Sequence, residues 1–206
     1  GCVFTNNAAP CDHTNLCTSG DVCGGGSCSG TPVTCSVGST CSPATGACVI
    51  GLATSSFQDG LNGYTGTQDT FLALSAPTTV EGALNNWRWK LFNPAEFGLI
   101  RFDQIVGNGV GQIPSGSSIS SAILTLKVTD GSVVRNGTIN ESAVDWAETT
   151  TTWSNFGGDT GVQPDEYRAS PSYIPPIGTG SVPVDVSASV QAWVNGTRSN
   201  FGWVFR

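Results

Sequence analysis

Short runs of alternating apolar and polar residues recur along the chain from residue 51 onward. Between Ser121 and Asp130 the apolar side chains occupy every second position, at Ala122, Leu124, Leu126 and Val128. A period of two residues predicts a strand with one face in a core. Similar short runs lie at 70–76, 86–92, 97–103 and 200–206, and clusters of Gly, Asn, Asp and Pro separate them. This pattern predicts a mainly β fold built as an antiparallel sandwich.

One short helix is predicted near the end of the sequence. Apolar residues recur there with helical spacing, at Val186, Val190, Trp193 and Val194. Asp185 or Ser187 is suited to cap its start, because a short polar side chain accepts a hydrogen bond from the first free backbone amides. Asn195-Gly196 is suited to end it, because glycine readily adopts the left-handed conformation that follows a helix.

The first 50 residues lack this apolar pattern and contain all eight cysteines: Cys2, Cys11, Cys17, Cys23, Cys28, Cys35, Cys41 and Cys48. A module of about 50 residues is usually too small to fold on its own core and needs cross-links. The C-x2-C pairs typical of zinc sites are absent and His13 is the only histidine, so disulfides are favoured over a metal. The sequence therefore predicts a disulfide-rich module over 1–50 and a β domain over 51–206, with the cysteine pairing left open.

The charge pattern excludes some partners and favours one location. The net charge is −7 with an isoelectric point near 4.4, and no run of Lys or Arg occurs, so nucleic acid is not an expected partner. No apolar stretch has the length needed to span a bilayer. Disulfides persist in oxidising compartments, which predicts a secreted or cell-surface protein. The start at Gly1 and the absence of Met favour a removed targeting segment or a piece of a larger protein.

The cysteine-rich segment resembles the repeats of large bacterial surface proteins. The resemblance covers residues 1–49, through "NNAAPCDHTNLCTSGDVCGGGSC" followed by "CSPATGAC". Those repeats usually carry Asp-Asp-Gly-Asn after Pro-Cys, where this chain has Asp12-His13-Thr14-Asn15. The resemblance implies a spacer or connector without chemistry of its own.

The β domain resembles the DNRLRE domains, which are related to archaeal disaggregatases and to alginate-type carbohydrate-binding modules. The motifs that carry the resemblance are "QDGLNGYTGTQDTFL" (58–72), "LIRFD" (99–103), "IPSGSSISSAILTL" (113–126), "VDWAETTTTW" (144–153), "VPVDVSASVQAWVNG" (182–196) and "NFGWVF" (200–205). It implies a jelly-roll-like β-sandwich of an extracellular or surface protein. The segments 81–97 and 157–178 depart from the family pattern, and a function private to this chain is expected there.

Residues for catalysis are scarce. His13 lies in the disulfide module, so a Ser-His-Asp triad within the β domain is excluded. Asp145 with Glu148 as hydrolase carboxylates, or Tyr167 with Arg168 as a lyase pair, would make the chain a glycan-degrading enzyme. Asp145 and Glu148 lie in a "W-x-E-x-x-x-T-W" element with a structural pattern. The pair of Tyr167 and Arg168 is compatible with almost any surface loop. We therefore predict a protein that is not an enzyme.

The aromatic residues of the 81–97 insert are the favoured binding candidates. Trp87 and Trp89 are two positions apart in a predicted strand and would share one face, with Arg88 and Lys90 on the other. Flat rings stack on sugar faces, and neighbouring cations pair with uronate carboxylates. The alternative is that both tryptophans are ordinary core residues. Arg101 has the same two interpretations, as a structural ion pair or as a contact to an acidic sugar.

Two further features concern ions and modification. Asp59 and Asp69 flank a Gly-rich loop whose hard oxygen ligands suit a structural calcium ion, although no EF-hand spacing is present. Three sequences match the N-glycosylation sequon, beginning at Asn136, Asn140 and Asn195, and such matches also arise by chance in a chain rich in Ser and Thr.

Together these features predict a non-catalytic extracellular protein in which the β-sandwich binds or supports a polysaccharide and the disulfide module is a spacer. The alternative is a structural subunit of a surface layer, stalk or filament, whose partners are neighbouring copies of itself. The glycan-degrading enzyme is the third interpretation. No cofactor is required by any of these, apart from the predicted calcium ion.

Overall fold

A computed structural model describes residues 8–36, 39–90, 94–130, 137–168, 172–174 and 179–206, with the side chains of 50 and 172–174 left out. The chain divides into two compact units, Gly1–Thr54 and Ser55–Arg206. All eight cysteines belong to the first unit and all six tryptophans to the second.

The first unit consists of two small antiparallel hairpins. Strand β1 (Thr18–Gly24) pairs with β2 (Ser27–Pro32), and β3 (Ser39–Cys41) pairs with β4 (Cys48–Ile50). Three disulfides link six of the seven described cysteines: Cys11–Cys28, Cys17–Cys41 and Cys35–Cys48. None of the cysteines in the described part of the chain is free, and Cys2 lies outside the described residues.

This unit has almost no apolar interior. Among its described residues only Cys23 is a buried hydrophobic side chain, while Leu16, Val22 and Val49 are exposed. Apolar burial, the dominant favourable term in folding, is therefore nearly absent here. The disulfides must supply the order instead, as the sequence predicted.

The second unit contains two antiparallel sheets. The larger has five strands in the order β5-β6-β11-β8-β9, and the smaller pairs β7 with β10. Their bounds are β5 Thr67–Ala73, β6 Glu96–Phe102, β7 Ile123–Val128, β8 Gly137–Glu141, β9 Ser172–Ile174, β10 Gly180–Asp185 and β11 Trp203–Phe205. Short 3₁₀ turns lie at Leu61–Gly63 and Phe156–Gly158. The last strand, β11, lies between β6 and β8, so the order of strands in space departs from their order in the chain.

One face of the five-stranded sheet packs on the two-stranded sheet. Leu124 and Leu126 of β7 and Val182 and Val184 of β10 point inward against residues of β8 and β11, including Phe205. The alternating burial of β7 and β10 leaves their other face exposed. Two sheets that share one core form a β-sandwich. The predicted mainly β fold with an antiparallel sandwich and one short helix is confirmed.

The opposite face of the five-stranded sheet is covered by the segment that follows β8. Leu72, Leu99 and Val204 of three neighbouring strands form a second cluster with Trp146 and Phe156. The Trp146 indole N–H donates to the carbonyl of Phe201 at 2.7 Å, which satisfies its polar atom in the interior. The sheet is therefore buried on both faces, and its two faces carry different sites.

Helix α1 spans Ser187–Val194 and inserts its predicted apolar face into the first core through Val190, Trp193 and Val194. The Ser187 amide donates to the Asp185 carboxylate at 2.8 Å at the start of the helix. The helix ends as predicted, with Gly196 in the left-handed region at φ +66°.

One predicted strand is wrong. Residues 86–89 pair with no other strand, and Lys90 makes only an isolated bridge to Glu96. Positions 91 and 92 of the predicted run lie outside the described residues. The apolar spacing there has another cause, because Trp87 and Trp89 pack against one face of the sheet instead of belonging to one of its strands. Among the described helices, none is long and apolar enough to cross a membrane.

Candidate functional site

Trp87 and Trp89 form an aromatic pair on the edge of the first core. Their ring centroids are 5.3 Å apart, and the Trp87 ring meets Phe205 edge-on at 4.4 Å. The Trp87 indole N–H donates to the Leu99 carbonyl at 2.9 Å, which fixes the ring on β6. Glycine at position 98 permits this approach, because a Cβ there would overlap the Trp87 ring.

Both rings remain partly exposed. Trp87 is held by a hydrogen bond and by close ring packing, whereas Trp89 lies 5.8 Å from Phe205 and has no hydrogen bond among the described residues. The pair therefore combines a structural member with a more loosely held one. This arrangement presents a fixed aromatic edge to solvent at low cost in side-chain entropy.

The two neighbouring cations are exposed but have partners. The Arg88 guanidinium lies 5.5 Å from the centre of the Phe71 ring. The Lys90 ammonium pairs with the Glu96 carboxylate at 3.0 Å. Lys90 is exposed whereas Glu96 is buried, so a second carboxylate would share the Lys90 ammonium, which has three donors, instead of displacing Glu96.

Arg101 belongs to a different face of the sheet. Its side chain points with Leu99 toward the second core, where its guanidinium lies 5.2 Å from the centre of the Trp146 ring. It pairs with Asp103 at 2.7 Å and with Asp145 at 2.6 Å. The structure does not bring Arg101 together with the tryptophan pair. The Arg101 charge is already neutralised by the Asp103 and Asp145 carboxylates.

An acidic cluster lies along the outer edge of β5. The Asp59 carboxylate accepts the Thr67 amide at 2.9 Å, and the Glu148 carboxylate accepts the Asp69 amide at 3.4 Å. These contacts satisfy backbone amides on the outer side of β5, the edge strand, where no described strand pairs with it. Burial first, and then the charges of Glu148 and Asp59, raise the pKa of Asp69 above its ordinary value.

The predicted calcium ligands Asp59 and Asp69 lie in this cluster, joined by Glu148. Among the described residues, His13, Asp21 and Cys28 form the one group of three His, Cys, Asp or Glu side chains whose ligand atoms all lie within 4.8 Å of one another. Cys28 is held in a disulfide, which removes its thiolate from that group. Calcium binding by Asp59 and Asp69 stays a prediction.

Replacing Asp69 by asparagine is expected to stabilise the β domain at pH 7. Because the folded-state pKa of Asp69 is raised, its contribution to stability is present below the unfolded pKa and is lost as pH rises through the folded value. Asp69→Asn removes this loss and should raise the free energy of unfolding at pH 7 by at most about 1 kcal/mol, because the charge is partly exposed. Urea unfolding followed by tryptophan fluorescence at pH 7 and pH 4 should show an advantage that shrinks on acidification.

Asp185→Asn is the matched control, because the pKa of Asp185 is shifted downward instead of upward. Hydrogen bonds from the Ser187 hydroxyl and amide lower the pKa of Asp185. That variant should lose stability at pH 7 and lose less as pH falls. An Asp69→Asn protein that is less stable than the parent at pH 7 would contradict the argument.

The candidate catalytic residues are occupied by structural contacts. Asp145 accepts both the Arg101 guanidinium and the Trp146 amide, and Glu148 accepts the Asp69 amide. The Arg206 guanidinium lies 3.9 Å from the centre of the Tyr167 ring. Arg168 is exposed, and its carbonyl accepts the Asn140 side chain at 2.6 Å.

Sequence reasoning missed two contributors to these surfaces. Glu148 joins Asp59 and Asp69 across about 80 residues of chain, and no local motif signals that contact. Trp153 is partly exposed and stacks on Phe97 with centroids 5.4 Å apart and planes 14° from parallel.

No protein-family model, no curated protein and no solved structure matches this chain. The resemblances to DNRLRE domains and to cysteine-rich surface repeats therefore stay predictions carried by their motifs. The disulfides fit an extracellular protein.

Proposed function

We propose that the chain is a non-catalytic extracellular protein whose β-sandwich binds an acidic polysaccharide through the surface formed by Trp87, Arg88, Trp89 and Lys90. This set of four is called the aromatic surface below. The observation that carries the proposal is the Trp87–Trp89 pair, which is fixed against the sheet while part of each ring stays exposed. The disulfide unit is assigned the role of spacer.

The chemistry of the aromatic surface suits a sugar chain. An indole ring offers a flat apolar area that stacks on the axial C–H face of a pyranose, and a ring that is already immobilised loses little entropy on binding. The two partly exposed tryptophans, with centroids 5.3 Å apart and planes 48° from parallel, form one angled aromatic platform instead of two separate contacts.

The charge of the surface favours a uronate over a neutral sugar. The chain carries a net charge of −7, so a polyanion would be repelled by most of its surface. Arg88 and Lys90 are exposed cations at the platform, and each keeps N–H donors that a sugar carboxylate can reach, because Arg88 contacts an aromatic ring and Lys90 one carboxylate. Binding should therefore weaken as salt screens these charges.

The test is affinity electrophoresis of the full chain in gels containing polygalacturonate, alginate or a neutral β-glucan. Retardation is expected in one of the polyuronate gels. Trp89→Ala is expected to lower the affinity for the polyuronate by about fivefold or more, because stacking of a ring-shaped ligand on an aromatic side chain contributes on the order of 1–3 kcal/mol. Trp89 is chosen over Trp87 because it makes no hydrogen bond to the sheet among the described residues.

Two control variants separate binding from folding and from charge. Trp153→Ala removes a partly exposed tryptophan from the opposite face of the same sheet and should leave retention unchanged. Lys127→Gln removes the exposed lysine of β7, whereas Lys90→Gln removes the one on the aromatic surface, and only the latter should weaken polyuronate retention. Equal losses in each pair would refute the assignment of this surface.

Two further measurements on the same purified chain distinguish the alternatives. If no glycan retards the chain and the chain elutes from a size-exclusion column at high mass, the structural subunit that pairs with copies of itself is favoured. Release of unsaturated or reducing sugars from a polyuronate, lost on replacing Tyr167 by phenylalanine, would favour the enzyme.

A further inference from the structure

The three sequons of the chain differ in what the fold does with their asparagines. Asn136 lies outside the described residues. Asn140 lies in β8 and is fully buried, and both ends of its amide are used. Its Nδ2 donates to the Arg168 carbonyl at 2.6 Å, and its Oδ1 accepts the Arg206 guanidinium at 3.1 Å. A glycan on Asn140 is incompatible with this packing.

Asn195 has the opposite surroundings. It is the exposed residue that follows α1, and its Oδ1 accepts the Gln191 side chain at 2.9 Å. Within the part of the chain that the structure describes, its Nδ2 makes no hydrogen bond. The amide is therefore oriented by its oxygen while its nitrogen faces solvent.

The rest of this sequon is also accessible and turned. Gly196 takes a left-handed conformation at φ +66°, which folds the backbone sharply after Asn195. Thr197 is exposed, and its hydroxyl donates to the Ala192 carbonyl at 3.1 Å. Because Asn195, Gly196 and Thr197 are all exposed, an attached oligosaccharide displaces no buried residue.

We propose that Nδ2 of Asn195 is an acceptor for an N-linked glycan when the chain passes through a secretory pathway that contains an oligosaccharyltransferase. The donor is a lipid diphosphate-linked oligosaccharide. The bond between the sugar C1 and the diphosphate oxygen breaks, a C1–Nδ2 bond forms, the amide nitrogen loses one proton, and the lipid diphosphate leaves. No electrons are exchanged, so no oxidant or reductant is required.

This inference shares with the proposed function only the expectation that the chain is exported. The test supplies export independently, by expressing the full chain behind a secretion leader in yeast. Peptide mass mapping of the product is expected to find a glycan on the Asn195 peptide. Digestion with peptide-N-glycosidase should remove that mass and convert Asn195 to aspartate, while the Asn140 peptide carries no glycan.

Matched variants identify the acceptor. Asn195→Gln and Thr197→Ala should both abolish the modification of this peptide, whereas Thr197→Ser keeps a hydroxyl at the required position and should retain it. An unmodified Asn195 peptide, in either the secreted or the retained protein, would overturn the proposal. So would a glycan found on Asn140 in folded protein. Neither result depends on whether the aromatic surface binds a polysaccharide.

Discussion

Removing the Cys17–Cys41 disulfide is expected to unfold the cysteine-rich unit and to leave the β domain intact. The bond closes a loop with a sequence separation of 24, for which constraint of the unfolded chain corresponds to about 3 kcal/mol. A unit of this size cannot offset that loss, since Cys23 is the one buried hydrophobic side chain among its described residues. The variant Cys17→Ala with Cys41→Ala should therefore lose amide protection throughout this unit.

The distribution of tryptophan allows the two units to be followed separately. All six tryptophans lie beyond residue 86, so their fluorescence reports the β domain alone. Its urea midpoint should be the same for the parent, for the variant and for the parent in dithiothreitol. Thermolysin should cut the variant near the exposed Leu16 and Val22 and spare the oxidised parent. A tryptophan transition that shifts on reduction would contradict independent folding of the units.

The strands that alternation predicted correctly are those whose two faces meet different surroundings. In β7 the even positions Leu124 and Leu126 are buried and the odd positions are exposed, so a period of two residues is visible in the sequence. The helix was found for the same reason, since only one of its faces enters the core. Patterns of this kind report burial, and burial here follows secondary structure.

The segment 86–90 shows where this reasoning fails. Trp87 and Trp89 alternate with Arg88 and Lys90 as in a strand, but they are partly buried by packing on the sheet from outside it. An extended segment that packs flat on a core has the same alternation as a strand within the sheet, because both have one inner face. The signal that distinguishes them is Gly98, whose missing side chain makes room for Trp87, and it lies 11 positions away.

The grouping of the candidate site residues was less predictable than the fold. Arg101 was grouped with the tryptophans by charge, yet the pleat of β6 places it on the opposite face of the sheet from Gly98 and Trp87. Glu148 reaches Asp69 through a contact between segments distant in sequence. Both outcomes depend on which strands become neighbours, and local spacing carries no information about that.

Replacing Arg198 by methionine is expected to cost the β domain about 3 kcal/mol. Arg198 donates to the Glu141 carboxylate at 3.1 Å, and that carboxylate also accepts the Trp193 indole N–H at 3.1 Å. The Glu141 side chain is only 4% exposed, so removal of the guanidinium leaves a buried charge without its cation. The estimate lies at the low end for one partner of a buried pair, because the Arg198 side chain is 32% exposed and water can reach its position.

A double-mutant cycle in urea isolates this interaction from the other contact of Arg198, a hydrogen bond to the Ala188 carbonyl at 3.0 Å. Glutamine at position 141 keeps an acceptor for Trp193 without a charge that needs a partner. The combination of Glu141→Gln and Arg198→Met should therefore be more stable than Arg198→Met alone, with a coupling energy of about 1–3 kcal/mol. Additive losses would show that Arg198 acts through its hydrogen bond to α1 instead of through Glu141. A coupling of the expected size would identify the pair as a buried electrostatic link between β8 and the segment after the helix.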